Sequence, residues 1–244
     1  MILPIVAILS IAGAVTAVDL PEFLHVCKRK DPQVEACMTQ SVEYLRPYLM
    51  KGVPECNIPA LEPLLLKELV ATEGTGIRIT ANDVHAYGAS NFNVRRLKID
   101  LNLLRFEVDV DLPHLFIDGQ YQVDGRVLLL PIRGSGPMKG NFTGCTGAVK
   151  LQGEILKGDD GEEHLHFSDF RMKISIGKGN LLLENLFGGE RTLGDIVNSA
   201  INSNFDAFIR ELQPLIEKAL SEAFLEIANN IVGPFTYQQL FPDD

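Results

Sequence analysis

The chain has 244 residues, 46% of them hydrophobic, with four cysteines, no tryptophan and a formal net charge of −10. That length suffices for one domain with a sizeable core. The acidic balance argues against nucleic acid and anionic membrane surfaces as principal partners, since both recruit clustered Lys and Arg.

Residues 1–17 read as a signal peptide. No side chain from Met1 to Ala17 is charged, an apolar stretch runs from Ile2 to Val15, and Val15-Thr16-Ala17 offers small residues for cleavage. The stretch is short for a membrane span and no later run is long enough for one. Residues 18–244 are therefore expected to form a single secreted domain without stable membrane insertion. In an oxidising compartment, Cys27 and Cys37 close a short loop and make the first candidate pair, while Cys56 and Cys145 either form a second bridge or stay free. A zinc site is the rival use of these thiols, but the chain has no CxxC spacing. Asn141-Phe142-Thr143 is a glycosylation sequon and predicts a surface loop.

Asp31-Pro32 predicts an N-cap and first helical residue, opening an amphipathic helix that reaches about Leu49. Pro54 to Pro63 reads as extended, and Leu64 to Leu69 is an apolar run that fits either state. From Gly76 the period is two. Leu97, Ile99, Leu101 and Leu103 alternate with polar residues, and then the phase slips to Leu104, Phe106, Val108 and Val110. The slip implies one bulged strand or two strands. Ile117, Tyr121, Val123, Val127 and Leu129 share a further apolar face. Pro131, Gly134, Gly136 and Pro137 predict a turn, Val149 to Ile155 a strand, and Gly158-Asp159-Asp160-Gly161 a hairpin turn before more strands.

The final segment is one long amphipathic helix. Thr192 with Asp195 reads as a capping box, apolar residues recur at helical spacing from Leu193 to Ile231, and Gly233-Pro234 ends it. Such a helix runs roughly 60 Å, with a kink expected at Pro214, and its broad apolar stripe needs a wrapping along most of its length. The resulting fold class is α+β: a long C-terminal helix wrapped by a strongly curved antiparallel sheet.

Catalytic signatures are scarce. Arg133-Gly134-Ser135-Gly136-Pro137 fails the spacing of a nucleophile elbow, and Gly134, Gly136 and Gly140 fail that of a dinucleotide loop. His164 and His166 share one side of a strand, and Glu107, Asp109 and Asp111 form a carboxylate row. Both could serve metal or acid–base chemistry, but both alternate with apolar residues as solvated strand faces do. No metal, cofactor or catalytic residue is expected. Tyr121 is different, because its hydroxyl shares the apolar face and needs an interior partner: a ligand oxygen, a backbone carbonyl or a water.

Five blocks in order resemble the insect takeout / juvenile-hormone-binding protein family: Leu20-Pro21 through Cys37, Gly52-Val53-Pro54 through Pro63, Gly125 through Gly136, Asn185-Leu186-Phe187-Gly188-Gly189, and Tyr237 through Pro242. The resemblance implies a tubular lipid-binding fold with an internal apolar cavity, a Cys27–Cys37 disulfide, and carriage of juvenile hormone, another terpenoid or a fatty-acid-like lipid. Cys56 stands where the family pattern leads one to expect an apolar residue, and no second bridge is carried over.

The leading expectation is a secreted, non-enzymatic carrier of a small hydrophobic ligand in haemolymph or another extracellular fluid. Its inward faces supply the contacts: Leu101, Phe106, Val108, Tyr121, Val123 and Val127 from strands, and Ile201, Phe205, Phe208 and Leu212 from the helix. The alternatives are a signalling protein with a filled interior that acts on a receptor or other partner through its surface, and an esterase acting on the same ligands.

Overall fold

The computed structural model describes residues 20–73, 76–127 and 130–243. The segment read as a signal peptide lies outside them, as does Leu129. Helix α1 (Val34–Lys51) precedes seven strands: β1 (Leu64–Glu73), β2 (Ile77–Tyr87), β3 (Asn93–Asp100), β4 (Arg105–Val127), β5 (Leu130–Lys157), β6 (Glu163–Ser175) and β7 (Lys178–Leu183). Helices α2 (Arg191–Ser203), α3 (Phe205–Val232) and the short α4 (Tyr237–Leu240) follow. The sheet is antiparallel, and the apolar run from Leu64 opens its first strand.

Two very long strands form the spine. β4 and β5 pair from Arg105↔Gln152 to Val127↔Leu130. The outer edge of β4 is shared by β3 and then β2, and that of β5 by β7 and then β6. The molecule therefore has two halves along its length. On β4 the buried side chains change parity, from Phe106 in one half to Tyr121, Val123 and Val127 in the other. Between them the register passes from Leu112↔Cys145 to His114↔Thr143, leaving out Pro113 and Gly144. Proline lacks the ladder donor, and Gly144 has a φ of +63° that favours glycine, so the sheet turns its inner face over here. The phase slip read at Leu103–Leu104 has a simpler origin. A turn separates β3 from β4, with Leu104 at a φ of +51°.

Several expectations need correction. Residues 131–137 do not form a turn but run inside β5. Their glycines serve close approach instead: a Cβ on Gly134 would stand 2.9 Å from Leu186 Cα, and one on Gly136 would stand 2.8 Å from Glu184 O. The segment after β7 crosses the sheet there, bridged through Gly134↔Leu186 and the Glu184 N–H to Pro137 O bond at 3.0 Å. The terminal helix is interrupted at Asn204, whereas α3 continues through Pro214. Its N-cap is Glu190 rather than Thr192, because the positive φ angles of Gly188 and Gly189 turn the chain early and aim the Glu190 carboxylate at the N–H groups of Thr192 and Leu193. Leu193 and Ile196 are exposed, so the wrapping does not reach the start of α2. For α1 the N-cap is Gln33, with Asp31 Oδ1 accepting from its N–H at 2.8 Å.

Cys27 and Cys37 are bonded, closing a loop of ten residues' separation. A loop of that size stabilises by about 2–3 kcal/mol through the unfolded chain. Cys56 and Cys145 are both free and buried in separate apolar clusters, and burial pushes both thiols up from their ordinary value. Asn141 is exposed, but it lies mid-strand between Phe116 and Asn180 rather than on a loop, and its Oδ1 is 2.6 Å from His114 Nε2.

Candidate ligand-binding cavity

The two halves differ in how they are filled. In one, Phe106, Leu165, Phe167, Tyr237 and Phe241 pack into a solid aromatic cluster under the C-terminal end of α3 and α4. In the other, the N-terminal half of α3 faces an apolar cavity of about 200 Å³. Its walls come from β1 (Leu69, Ala71), β2 (Ile77, Ile79, Ala81, Val84), β4 (Ile117, Tyr121, Val123, Val127), β5 (Ile132, Met138, Phe142), β7 (Leu181, Leu183) and α3 (Phe208, Ile209, Leu212, Ile216, Ala219). The register explains the convergence. Leu69, Ala81 and Tyr121 stand side by side across three strands, as do Ala71, Ile79 and Val123 in the next row.

Among these walls the Tyr121 hydroxyl is the one side-chain hydrogen-bond donor, and it is engaged: Oη donates to Glu184 O at 2.7 Å. Burial pushes this phenol up to about 12, so it stays neutral. Of the partners considered for it, the structure supplies the backbone carbonyl. That bond ties β4 to the crossing segment after β7. Tyr121→Phe is therefore expected to cost about 1 kcal/mol in thermal or urea unfolding. Its affinity for an oxygenated terpenoid should stay unchanged in a fluorescence titration, and a clear loss of affinity would show instead that the hydroxyl turns to the guest.

The sequence profile of the haemolymph juvenile hormone binding protein (JHBP) family matches residues 5–242. The chain belongs to this family. Among its relatives, the circadian clock-controlled protein daywake of Drosophila melanogaster is 28% identical over 91% of this chain and 88% of daywake. A putative β-carotene-binding protein of Schistocerca gregaria is 22% identical over 86% of this chain and 85% of its own. Takeout 1 of Epiphyas postvittana, at 22% identity, superimposes with a TM-score of 0.73 over 89% of this chain and 99% of its own, which places the JHBP-family chain in the takeout fold.

Of the residues expected to meet a ligand, Tyr121, Val123, Val127, Phe208 and Leu212 line the cavity of this JHBP-family chain. The other five do not. Phe106 and Leu101 belong to the filled aromatic half. Val108 is half-buried between Leu97 and Val149. Ile201 packs in the main core from α2, and Phe205 stacks on Phe142 in a side cluster. Phe106 and Val108, on the stretch of β4 paired with β3, and Leu101, in the turn before it, all lie in the half away from the cavity. Most of the lining unforeseen in the sequence is on β1, β2 and β7, where alternation is short or weak. A residue count from Tyr121 along the register would have found Ala81 and Leu69.

The polar constellations have structural partners. Asp109 and Asp111 pair with Arg96 and Arg95 at 2.8 Å each, and Glu107 with Lys150 at 3.2 Å, across the outer face. His164 bridges Asp160 Oδ2 at 3.0 Å and Gly233 O at 3.2 Å, pinning the β5–β6 hairpin to the end of α3. Among the described residues no group of three His, Cys, Asp or Glu is placed to hold a metal, and no helix is long and apolar enough to cross a membrane.

Proposed function

We propose that this JHBP-family chain is a secreted, non-enzymatic carrier of a small hydrophobic ligand, a terpenoid such as juvenile hormone or a comparable lipid. In this reading residues 1–17 are removed on export and residues 18–244 act in haemolymph or another extracellular fluid. The observation that carries it is the cavity: an interior space whose lining is apolar and whose one hydroxyl is already satisfied. Such a site gains about 25 cal/mol for each Å² of ligand surface removed from water, and it needs no catalytic group. The β-carotene-binding description of the Schistocerca relative agrees with an elongated apolar guest.

Among the described residues the lining contains no Lys, Arg or His, so a carboxylate would be buried without a counter-charge. A terpenoid methyl ester is expected to bind at least about tenfold tighter than its free acid at neutral pH, with the acid gaining as pH falls toward the carboxylate's own value. Competition titrations at two pH values check this. Equal affinity at neutral pH would place the head group in solvent rather than in the cavity.

Native mass spectrometry of the gently purified secreted protein, followed by organic extraction, tests the function itself. A co-purifying apolar compound is expected. A clean polypeptide mass that also fails to take up a polyene fluorophore would overturn the carrier reading and favour an interaction protein, and ester turnover tracking the protein would favour the enzyme.

A further inference from the structure

The curved sheet leaves two margins, and α3 lies against both, but the two seams are built differently. Along β6 the helix is stitched to the backbone. Asn229 accepts the Phe167 N–H at 2.8 Å and donates to Phe167 O at 2.9 Å. Ser221 Oγ accepts from Met172 N–H and Glu217 Oε1 from Ile174 N–H, each at 3.0 Å. Helix α2 repeats the device on β7, where the amides of Asn198 and Asn202 each pair with both backbone groups of Leu183 and Leu181. These side chains give an edge strand what a neighbouring strand would.

Against β1, on the opposite margin, α3 offers Ala219, Ala223 and Ile227, and among the residues of the two elements that line this seam no hydrogen bond or ion pair joins one to the other. A groove of about 580 Å³ runs along this seam, and a 3.4 Å bond from Asn57 to Asn230 O lies at one end. Ala219 lines both the groove and the internal cavity, so the two approach each other at that residue. A seam whose lining residues share no directed bond is the easier to part, because sliding it breaks no hydrogen bond; its apolar side chains, such as Leu66, Ala223 and Ile227, can cover an apolar guest in transit while Lys67, Glu68, Glu222 and Glu226 stay in solvent.

We propose that the apolar ligand enters and leaves sideways, through the β1–α3 seam at Ala219, while the β6–β7 seam stays closed as the hinge side. This rests on the carrier reading above. The test links the seam after folding. Lys67 and Glu226, both exposed on the groove, become cysteines in a Cys56→Ala, Cys145→Ala background and are joined by a periodate-cleavable bis-maleimide. A control link joins Lys157→Cys to Glu163→Cys, which are partners across the β5–β6 hairpin. Stopped-flow fluorescence with cis-parinaric acid methyl ester as probe should show the seam-linked protein taking up and releasing probe about tenfold more slowly or worse, with equilibrium affinity unchanged and speed restored on cleavage. Rates equal to those of the control-linked protein would overturn the lateral passage while leaving the carrier intact. Failure of the unlinked protein to bind the probe would instead remove the carrier reading and the passage with it.

Discussion

Ala81→Phe should abolish most ligand binding while leaving the fold intact. Ala81 sits on the inner face of β2, opposite Tyr121 on β4 and Leu69 on β1, and its methyl group faces the cavity. A phenyl ring there projects into open space rather than into packed atoms. The usual penalty for overfilling a core is thus relieved, and the ring's own burial offsets what strain is left. The guest suffers instead. Excluding about 120 Å² of its surface from the cavity forfeits about 3 kcal/mol, more than a hundredfold in Kd. A titration with a polyene fluorophore beside a thermal melt separates the two effects. Full affinity in the variant would mean that the guest binds elsewhere, and a collapsed melt would mean that the void is smaller than its walls indicate.

The choice of Ala81 shows what the sequence carried and what it did not. Period-two alternation identified β3 and β4, and Gly158–Gly161 marked the hairpin, because these signals are local. The α+β class and the curved sheet on a long helix followed from the two periods together. Both apolar phases of β4 are legible in the sequence, but that they face different halves is not, since this depends on the reversal at Pro113 and Gly144, where two strands must be aligned before the missing pair is visible. The expectation that Leu101, Phe106 and Val108 share one lining with Tyr121 and Val123 fails for that reason. Gly134 and Gly136 were read as punctuation because glycine signals both turns and close approach, and only the crossing of residues 184–186 decides between them. The stitching side chains were present as Asn198 with Asn202 and as Gln213, Glu217 and Ser221, all at helical i+4 spacing. A polar stripe beside an apolar one looks like a solvated face until an edge strand is found against it.

Glu217 tests how much that stitching contributes. It is 4% exposed on α3, yet its carboxylate receives the Ile174 N–H at 3.0 Å, Gln213 Nε2 at 2.7 Å and Lys173 Nζ at 2.6 Å. Burial by itself pushes the carboxyl up; the bonds from Lys173, Gln213 and Ile174 outweigh it and hold the group below its ordinary value of 4.5. The two sides of the ion pair contribute unequally. Lys173 is 77% exposed, so its charge is screened and Lys173→Met should cost no more than about 1 kcal/mol. Glu217→Ala strands the Ile174 N–H and leaves the Gln213 amide with only its bond to Ile174 O, and should cost about 3 kcal/mol, a fall of roughly 6–12 °C in Tm for a chain of this size. The sign of the pH dependence follows from the lowered value. The stabilisation is complete above the unfolded carboxyl's 4.5 and is lost as pH falls through the lower folded value. Urea unfolding of wild type and variant should therefore differ by a constant amount from pH 7 down to about 5 and converge in more acid solution. A gap that persists unchanged well below the ordinary carboxyl range would mean that the side chain acts by packing alone, and the closed seam would then owe its strength to the apolar stripe and not to the bonds that β6 receives.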